Sequence, residues 1–150
     1  NDPNQTVIAG SKAAVEQAMV EIKAAGAKRA LTLPVSAPFH SSLMKPASIK
    51  LAERLQDIEL LAPSIPVLNN VDVKSVSEPA HIKDALVRQA FGAVRWVESV
   101  QQLKASGVAT VLECGPGKVL SGMAKRIEPE MTALPVYDPT TLDAAIAALA

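Results

Sequence analysis

The stretch "VATVLECGPGKVLSGMAKRI", Val108–Ile127, decides the fold. Val108–Cys114 is a short, continuous apolar run, which is typical of a buried strand in a parallel sheet. Gly115–Lys118 supplies a glycine-rich turn, and Val119–Ile127 then predicts a short helix. A strand that leads through such a turn into a helix indicates an α/β protein with a mostly parallel sheet.

The rest of the chain alternates between strands and helices in the same way. Upstream, Thr6–Ala9 and Arg29–Val35 predict two strands, separated by a helix that begins after Ser11 and ends at Gly26. Apolar residues at helical spacing predict another helix after His40, with Ser41 or Ser42 as its N-cap. The later predicted elements are a strand in 66–73, helices in 77–91 and 95–107, a strand in 133–138 and a helix in 140–150.

Composition restricts the possible functions. The chain has 150 residues, 49% hydrophobic and 20% charged, as expected for one globular domain rather than a disordered segment. Fifteen basic residues balance fifteen acidic ones without a dense Lys/Arg run, which argues against nucleic acid as a partner. No apolar run approaches the ~20 residues of a membrane span. The single cysteine, Cys114, predicts a small core residue and fits a reducing, cytoplasmic compartment.

The strongest candidate for chemistry is His40, in the stretch "LPVSAPFHSSLMKPA" that covers 33–47. It follows the end of a predicted strand and stands two residues after Pro38, whose fixed φ favours a kink. An imidazole at the carboxyl edge of a sheet is suited to general-base catalysis near neutral pH. A capping or hydrogen-bonding role would explain the same position, so both interpretations stay open. His81, the other histidine, is predicted to be exposed in the first turn of a helix.

The turn "ECGPGK", Glu113–Lys118, also admits two interpretations. Its backbone N–H groups would suit a phosphate at a helix N-terminus. However, the sequence matches neither the Walker pattern nor the dinucleotide-binding pattern. We therefore favour a structural turn between strand and helix. One cysteine and two histidines supply no ligand cluster, so we expect no metal.

Four motifs occur in a fixed order: "GAKRALTLPVSAPFHSSLMKPA", "PVLNNVDV", "ALVRQAF" followed by "VRWVESV", and "ECGPGKVLSGMAKRI". Together they resemble the C-terminal half of the malonyl-CoA:acyl-carrier-protein transacylases of bacterial type II fatty-acid synthesis. The resemblance implies ping-pong transfer of malonyl from coenzyme A to the phosphopantetheine thiol of acyl carrier protein. It implies a serine nucleophile with a histidine base, and no cofactor beyond these two acyl carriers.

The resemblance also assigns roles to single residues. It implies that His40 is the general base and that the Gln89 main-chain carbonyl orients the imidazole, as an aspartate does in a triad. Phe39 matches a position that lines the acyl pocket, although simple packing would also explain it. Ser36 and Asn69 are the other expected substrate-binding residues, and a plain turn role for Asn69 remains an alternative.

The chain departs from the family pattern in one large respect. No GxSxG nucleophile motif occurs anywhere in the sequence, and the family's oxyanion-hole loop is also absent. Arg88, Arg95 and Arg126 lie outside the motif that would hold the malonate carboxylate. The chain also begins without methionine, so we expect a piece of a longer enzyme that is inactive alone. Its partners would be malonyl-CoA, acyl carrier protein and the N-terminal part of the same enzyme.

The resemblance divides the chain into two parts. Residues 1–37 are predicted to be the second half of a ferredoxin-like small subdomain, and residues 38–150 the C-terminal part of a large α/β-hydrolase-like subdomain. Two alternatives remain: a fragment of a polyketide-synthase acyltransferase domain, and a non-catalytic carrier-protein-binding module with a structural His40. Lys118, Lys125 and Arg126 are candidates for a basic patch facing an acidic carrier protein, or simply form a solvated helix face.

Overall fold

The computed structural model describes all residues from 1 to 150, and they form a mixed α/β structure. The chain divides into two compact units, one made of 7–94 and the other of 1–6 together with 95–150. The helices are α1 (Lys12–Ala24), α2 (Lys45–Gln56), α3 (Pro79–Gln89), α4 (Trp96–Ala105), α5 (Val119–Ile127) and α6 (Pro139–Leu149). The strands are β1 (Leu68–Asn69), β2 (Lys74–Ser75), β3 (Thr110–Cys114) and β4 (Thr132–Val136).

In the unit of 95–150, the strand–turn–helix stretch folds as its pattern predicts. Strand β3 leads through the glycine turn into α5, and β4 then pairs with β3 in parallel, from Thr110 opposite Thr132 to Cys114 opposite Val136. A parallel pair requires a crossover connection, which α5 supplies. The helical and strand patterns place apolar side chains on one side, and these form the core: Val100, Ala124, Ile127, Met131 and Ala133.

One face of β3 differs from the prediction. The continuous apolar run predicts burial on both faces, yet Leu112 is 41% exposed and Cys114 is also exposed. Side chains alternate along a strand, so these two residues share one face. The prediction that Cys114 is a core residue is therefore wrong.

In the unit of 7–94, helices α2 and α3 pack against each other and bury Leu55 and Ala85. The predicted strand of 66–73 shrinks to the two residues of β1, which pair antiparallel with β2. The sheets are thus one parallel and one antiparallel pair, rather than one mostly parallel sheet.

The predicted strands at Thr6–Ala9 and Arg29–Val35 do not form. Neither segment has a ladder partner, and Leu31 and Leu33 are 74% and 54% exposed. A strand exists only with a hydrogen-bonded neighbour, which these segments lack within the chain. Helix α1 between them buries no residue.

The ends of α1 follow the sequence closely. The Ser11 Oγ accepts a hydrogen bond from the Ala14 N–H over 3.3 Å, as an N-cap does. Gly26 has a φ of +100°, and its N–H donates to the Lys23 carbonyl. The division at residue 37 is not a boundary between the two compact units and stays a prediction. None of the six helices has the length and apolar character needed to cross a bilayer.

Candidate active site

The candidate site is built around His40, in the connection that leads to α2. The His40 φ is +61°, in the left-handed region that residues other than glycine seldom occupy. The Ser41 Oγ donates to the Pro38 carbonyl over 2.7 Å and closes the chain around His40. Ser41 is the N-cap residue of the 3-10 turn at Ser42–Met44, which leads directly into α2, but neither Ser41 nor Ser42 makes a side-chain capping hydrogen bond to that turn or to α2.

The His40 ring is exposed, and its Nδ1 lies 3.0 Å from the main-chain oxygen of Gln89. Gln89 is the last residue of α3, and the final carbonyls of a helix have no partner within it. The N–H groups of Phe91 and Gly92 both donate to the preceding carbonyl, that of Arg88. The Gln89 oxygen is thereby left to His40, and the hydrogen bond that the resemblance implies is present.

This contact fixes the chemistry of the imidazole. A carbonyl oxygen only accepts, so Nδ1 carries the hydrogen and donates it. In the neutral ring the lone pair then lies on Nε2, which is the nitrogen free to accept a proton.

A second contact holds the start of α2 near the end of α3. The Lys45 Nζ lies 5.8 Å from the centroid of the Phe91 ring, within the range of a cation–π interaction. Lys45 follows His40 by five residues and Phe91 follows Gln89 by two. The same two chain segments are thus joined both at the imidazole and at this ring.

The structure places the other expected site residues without testing their roles. Phe39 is 51% exposed beside His40, and Ser36 is exposed in the same segment. The Asn69 side chain closes the β-hairpin: its Oδ1 accepts from the Asp72 N–H over 2.7 Å and its Nδ2 donates to the Lys74 carbonyl over 2.8 Å. The substrate contacts of these three residues stay predictions.

Arg88, the residue before Gln89, is the centre of a charged cluster that the sequence analysis did not predict. The Arg88 guanidinium donates to both carboxylate oxygens of Asp72 and to one of Asp84, each over 2.7 Å. The hydrogen bonds that Arg88 donates to Asp72 and then to Asp84 raise the pKa of Arg88 above its ordinary value. Asp84 stands at the i−4 position on α3, which the sequence reveals, but the pairing with Asp72 depends on the hairpin.

Comparison of sequences finds relatives of this chain among the malonyl CoA-acyl carrier protein transacylases. The malonyl CoA-acyl carrier protein transacylase of Salmonella typhimurium is 54% identical over 146 residues, which are 97% of this chain and 47% of the relative. The Escherichia coli and Bacillus subtilis proteins of the same name are 53% and 45% identical. The chain is a homologue of the malonyl-CoA:acyl carrier protein transacylases. It spans about half the length of these relatives. No protein-family model matches the chain.

Solved structures of such transacylases have the same fold as this homologue. An acyl-carrier-protein S-malonyltransferase from Burkholderia pseudomallei is 59% identical with a TM-score of 0.90, over 92% of this chain and 45% of that one. A malonyl-transacylase in complex with a type II polyketide acyl-carrier protein is 50% identical with a TM-score of 0.91, over 93% and 45%. The resemblance stated from the motifs is confirmed.

An apolar cavity of about 360 Å³ adjoins α3 in this transacylase homologue. Gln89 is among its lining residues, and both the nitrogen and the oxygen of the Gln89 side-chain amide are buried without a hydrogen-bond partner. The sequence reveals neither the cavity nor the burial of this amide. The apolar lining residues are Leu60, Leu61, Pro63, Val67, Val76, Ile82, Ala85 and Leu86.

The glycine turn at Gly115–Lys118 is structural. The Glu113 carboxylate accepts hydrogen bonds from the Leu120 N–H over 3.0 Å and from both the Ser121 N–H and Oγ over 2.7 Å. Burial alone would raise the pKa of Glu113, but these hydrogen bonds outweigh it and lower the pKa. Because Glu113 occupies the N-terminus of α5, a phosphate would meet a like charge there. No group of three His, Cys, Asp or Glu side chains is placed to hold a metal ion.

The three arginines left unassigned by the sequence all have carboxylate partners. Arg88 pairs with Asp72 and Asp84, and Arg95 pairs with Glu98. The Arg126 Nε donates to a carboxylate oxygen of Asp2 over 2.7 Å, and this contact first of all lowers the pKa of Asp2. Of the predicted basic patch, Lys118 and Lys125 are exposed and make no ion pair.

Proposed function

We propose that the chain is the C-terminal segment of a malonyl-CoA:acyl-carrier-protein transacylase and that His40 is its general base. The observation that carries the proposal is the 3.0 Å hydrogen bond between His40 Nδ1 and the Gln89 carbonyl. It leaves Nε2 free to accept a proton. The identity of 54% to a transacylase supports the reaction class. Since the sequence contains no GxSxG motif, we propose that the serine lies on polypeptide outside it.

The reaction proceeds in two acyl transfers. In the first, His40 Nε2 takes the hydroxyl proton of the serine as its oxygen attacks the thioester carbonyl of malonyl-CoA. The tetrahedral intermediate breaks its C–S bond, and the imidazolium returns the proton to the coenzyme A sulfur. In the second, His40 takes the proton of the phosphopantetheine thiol, whose sulfur attacks the malonyl-serine ester. The serine oxygen then leaves and receives that proton.

The Gln89 carbonyl suits a reaction with a malonyl substrate. It orients the ring as a triad aspartate does but carries no full negative charge. A carboxylate in its place would add a negative charge near the malonate carboxylate and weaken its binding.

The substrates and partners follow from the same proposal. Phe39 and Ser36, in the segment that leads to His40, line the malonyl side of the site, and Asn69 shapes the adjacent hairpin. The exposed Lys118 and Lys125 face the acidic carrier protein in a cytoplasmic enzyme. A carrier protein is bound by the polyketide transacylase that matches this chain with a TM-score of 0.91, which supports acyl carrier protein as acceptor.

The N-terminal part of the enzyme is the remaining partner. It supplies the serine, the oxyanion hole and the arginine that pairs with malonate, so the chain alone is inactive. It also completes the small subdomain of residues 1–37 by pairing with the unpaired segments at 6–9 and 29–35, and it covers the exposed face of β3. The apolar exposure of Leu31, Leu33 and Leu112 supports this packing.

The test uses the complete enzyme that contains this sequence. His40→Ala should lower the rate of malonyl transfer to carrier protein by at least about 100-fold, the lower end of general-base contributions. His81→Ala, which removes the exposed histidine of α3, is the matched control and should leave the rate unchanged. Transfer by His40→Ala at nearly the wild-type rate would refute the proposal. It would favour the alternative of a carrier-protein-binding module.

A further inference from the structure

We propose that Arg88 is a positioning residue for this reaction. Through Asp72 it holds the C-terminal end of α3 so that the Gln89 carbonyl faces His40. The inference rests on the proposed function, since it concerns the orientation of the same imidazole. According to this inference, the orientation of the His40 ring depends on the side chains of Arg88 and Asp72 as well as on the Gln89 carbonyl.

The contacts of Arg88 are directional. Its two terminal nitrogens lie 2.7 Å from the two oxygens of Asp72, and its Nε lies 2.7 Å from Asp84. A two-point contact between a planar guanidinium and a carboxylate restrains orientation as well as distance, which a lysine cannot reproduce. The side chains of Arg88 and Asp72 are 36% and 32% exposed, so solvent screens the pair only in part.

A second contact joins the hairpin turn to the same end of α3. A Cβ placed on Gly92 would lie 3.1 Å from the Val71 Cγ2 and 2.8 Å from the Arg88 oxygen. The turn therefore approaches the end of α3 at Val71 as well as at Asp72. The turn itself is held by the Asn69 side chain, and its Val73 keeps a φ of +59°, which a β-branched residue rarely adopts.

Arg88 is thus fixed at both its ends. Its guanidinium is held by Asp72 and Asp84, and its carbonyl accepts the Gly92 N–H over 2.7 Å. The Gln89 carbonyl is the next along the chain, so the orientation of its peptide depends on how the Arg88 main chain is held. A rotation there would break the 3.0 Å contact with His40. Misplacement of a catalytic group by about 1 Å can cost on the order of 100-fold in rate.

An ion pair that only stabilises the fold would have the same contacts, so the test must read the imidazole itself. The tautomer of His40 is that readout. The two ring nitrogens of a histidine give separate ¹⁵N signals, whose shifts tell which nitrogen carries the hydrogen. With the chain labelled on histidine and held above the imidazole pKa, the hydrogen of His40 should lie on Nδ1. His81→Gln assigns the signals.

Three substitutions of the pair are compared with one control. Arg88→Gln and Asp72→Asn should each shift the His40 hydrogen from Nδ1 toward Nε2, and the double variant should shift it no further than either alone. Arg88→Lys should restore it only in part. The control is Arg54→Ala on α2. The Arg54 side chain is 76% exposed and its guanidinium lies 4.0 Å from Asp57, so this substitution should leave the His40 tautomer unchanged. Each variant is read at a temperature at which its helical circular dichroism matches that of wild type.

Kinetics of the complete enzyme provide the second readout. Arg88→Gln should lower kcat by about 10- to 100-fold with a nearly unchanged KM for malonyl-CoA. Folded variants that keep the wild-type tautomer and kcat would overturn the positioning role, while a loss of activity in His40→Ala would still uphold the proposed function. Conversely, a tautomer that shifts in Arg88→Gln while His40→Ala stays active would overturn the proposed function and leave Arg88 as a residue that only orients the His40 ring.

Discussion

Glu113 is a single residue that links the end of strand β3 to the start of helix α5. Its carboxylate accepts hydrogen bonds from two N–H groups of α5 and one hydroxyl. In this place it completes the turn that Gly115 and Gly117 make possible, with φ of +144° and +117°. These are conformations that glycine adopts without steric cost.

The lowered pKa of Glu113 gives a pH-dependent stability. A depressed pKa in the folded state stabilises the protein above the ordinary value of 4.5 and loses this contribution as the pH falls through the folded value. Glu113→Gln should therefore lower the free energy of unfolding at pH 7 by on the order of 1–2 kcal/mol. The difference from wild type should shrink below about pH 4.

Urea denaturation at both pH values checks this prediction. The control is Glu59→Gln, since Glu59 is exposed and makes no hydrogen bond or ion pair. A difference that stays constant from pH 7 to pH 4 would mean that the charge of Glu113 contributes nothing to the turn.

The sequence predicts the role of some site residues but not of others. His40 stands out because histidine is rare here and follows a segment with strand pattern. The Gln89 carbonyl has no such signal, because every residue has a main-chain oxygen, and only the resemblance pointed to it. The pairing of Arg88 with Asp72, sixteen residues earlier, appears only once the hairpin is folded.

Helices are predicted from the sequence more reliably than strands, because helical hydrogen bonds join residues that are close in the chain and strand hydrogen bonds join distant ones. All six helices occur where apolar spacing predicts them, since helical hydrogen bonds are local. The strands at 6–9 and 29–35 do not form because no segment of the chain pairs with them. The exposure of Cys114 was unpredictable for the same reason, since it depends on what covers the sheet.

Substitution by alanine should have opposite effects on stability at two glycines, Gly107 and Gly122. Gly107 ends α4 with a φ of +86°, so Gly107→Ala should lower stability by about 1 kcal/mol. Gly122 lies inside α5, where a Cβ would meet only the Arg126 side chain at 3.6 Å, an ordinary contact. Gly122→Ala should therefore raise stability by about 0.5–1 kcal/mol. Chemical denaturation of both variants measures this, and effects of the same sign would contradict the assigned helix ends.

For the whole molecule, the dominant feature is exposed apolar surface. Residues of α1, of the two unpaired segments and of β3 contribute, among them Val20, Leu31, Val35 and Leu112. Large apolar patches on a soluble protein mark surfaces that another polypeptide covers. The proposed occupant is the N-terminal half that the relatives possess and this chain does not span.

This predicts that the isolated chain associates. Sedimentation of the pure chain should show self-association, and addition of the N-terminal half of a transacylase relative should replace it with a one-to-one complex. A 15.7 kDa monomer with a cooperative unfolding transition would contradict the prediction. A hydrophobic dye provides a parallel readout, because its binding should fall when the complex forms.

Chemical rescue can test whether His40 Nε2 moves the proton in malonyl transfer. In the complete enzyme with His40→Ala, the rate of transfer from malonyl-CoA to carrier protein is measured with and without added imidazole. The rate should fall by at least about 100-fold, and free imidazole should partly restore it in proportion to its unprotonated form. A rate without imidazole that stays close to wild type would contradict it.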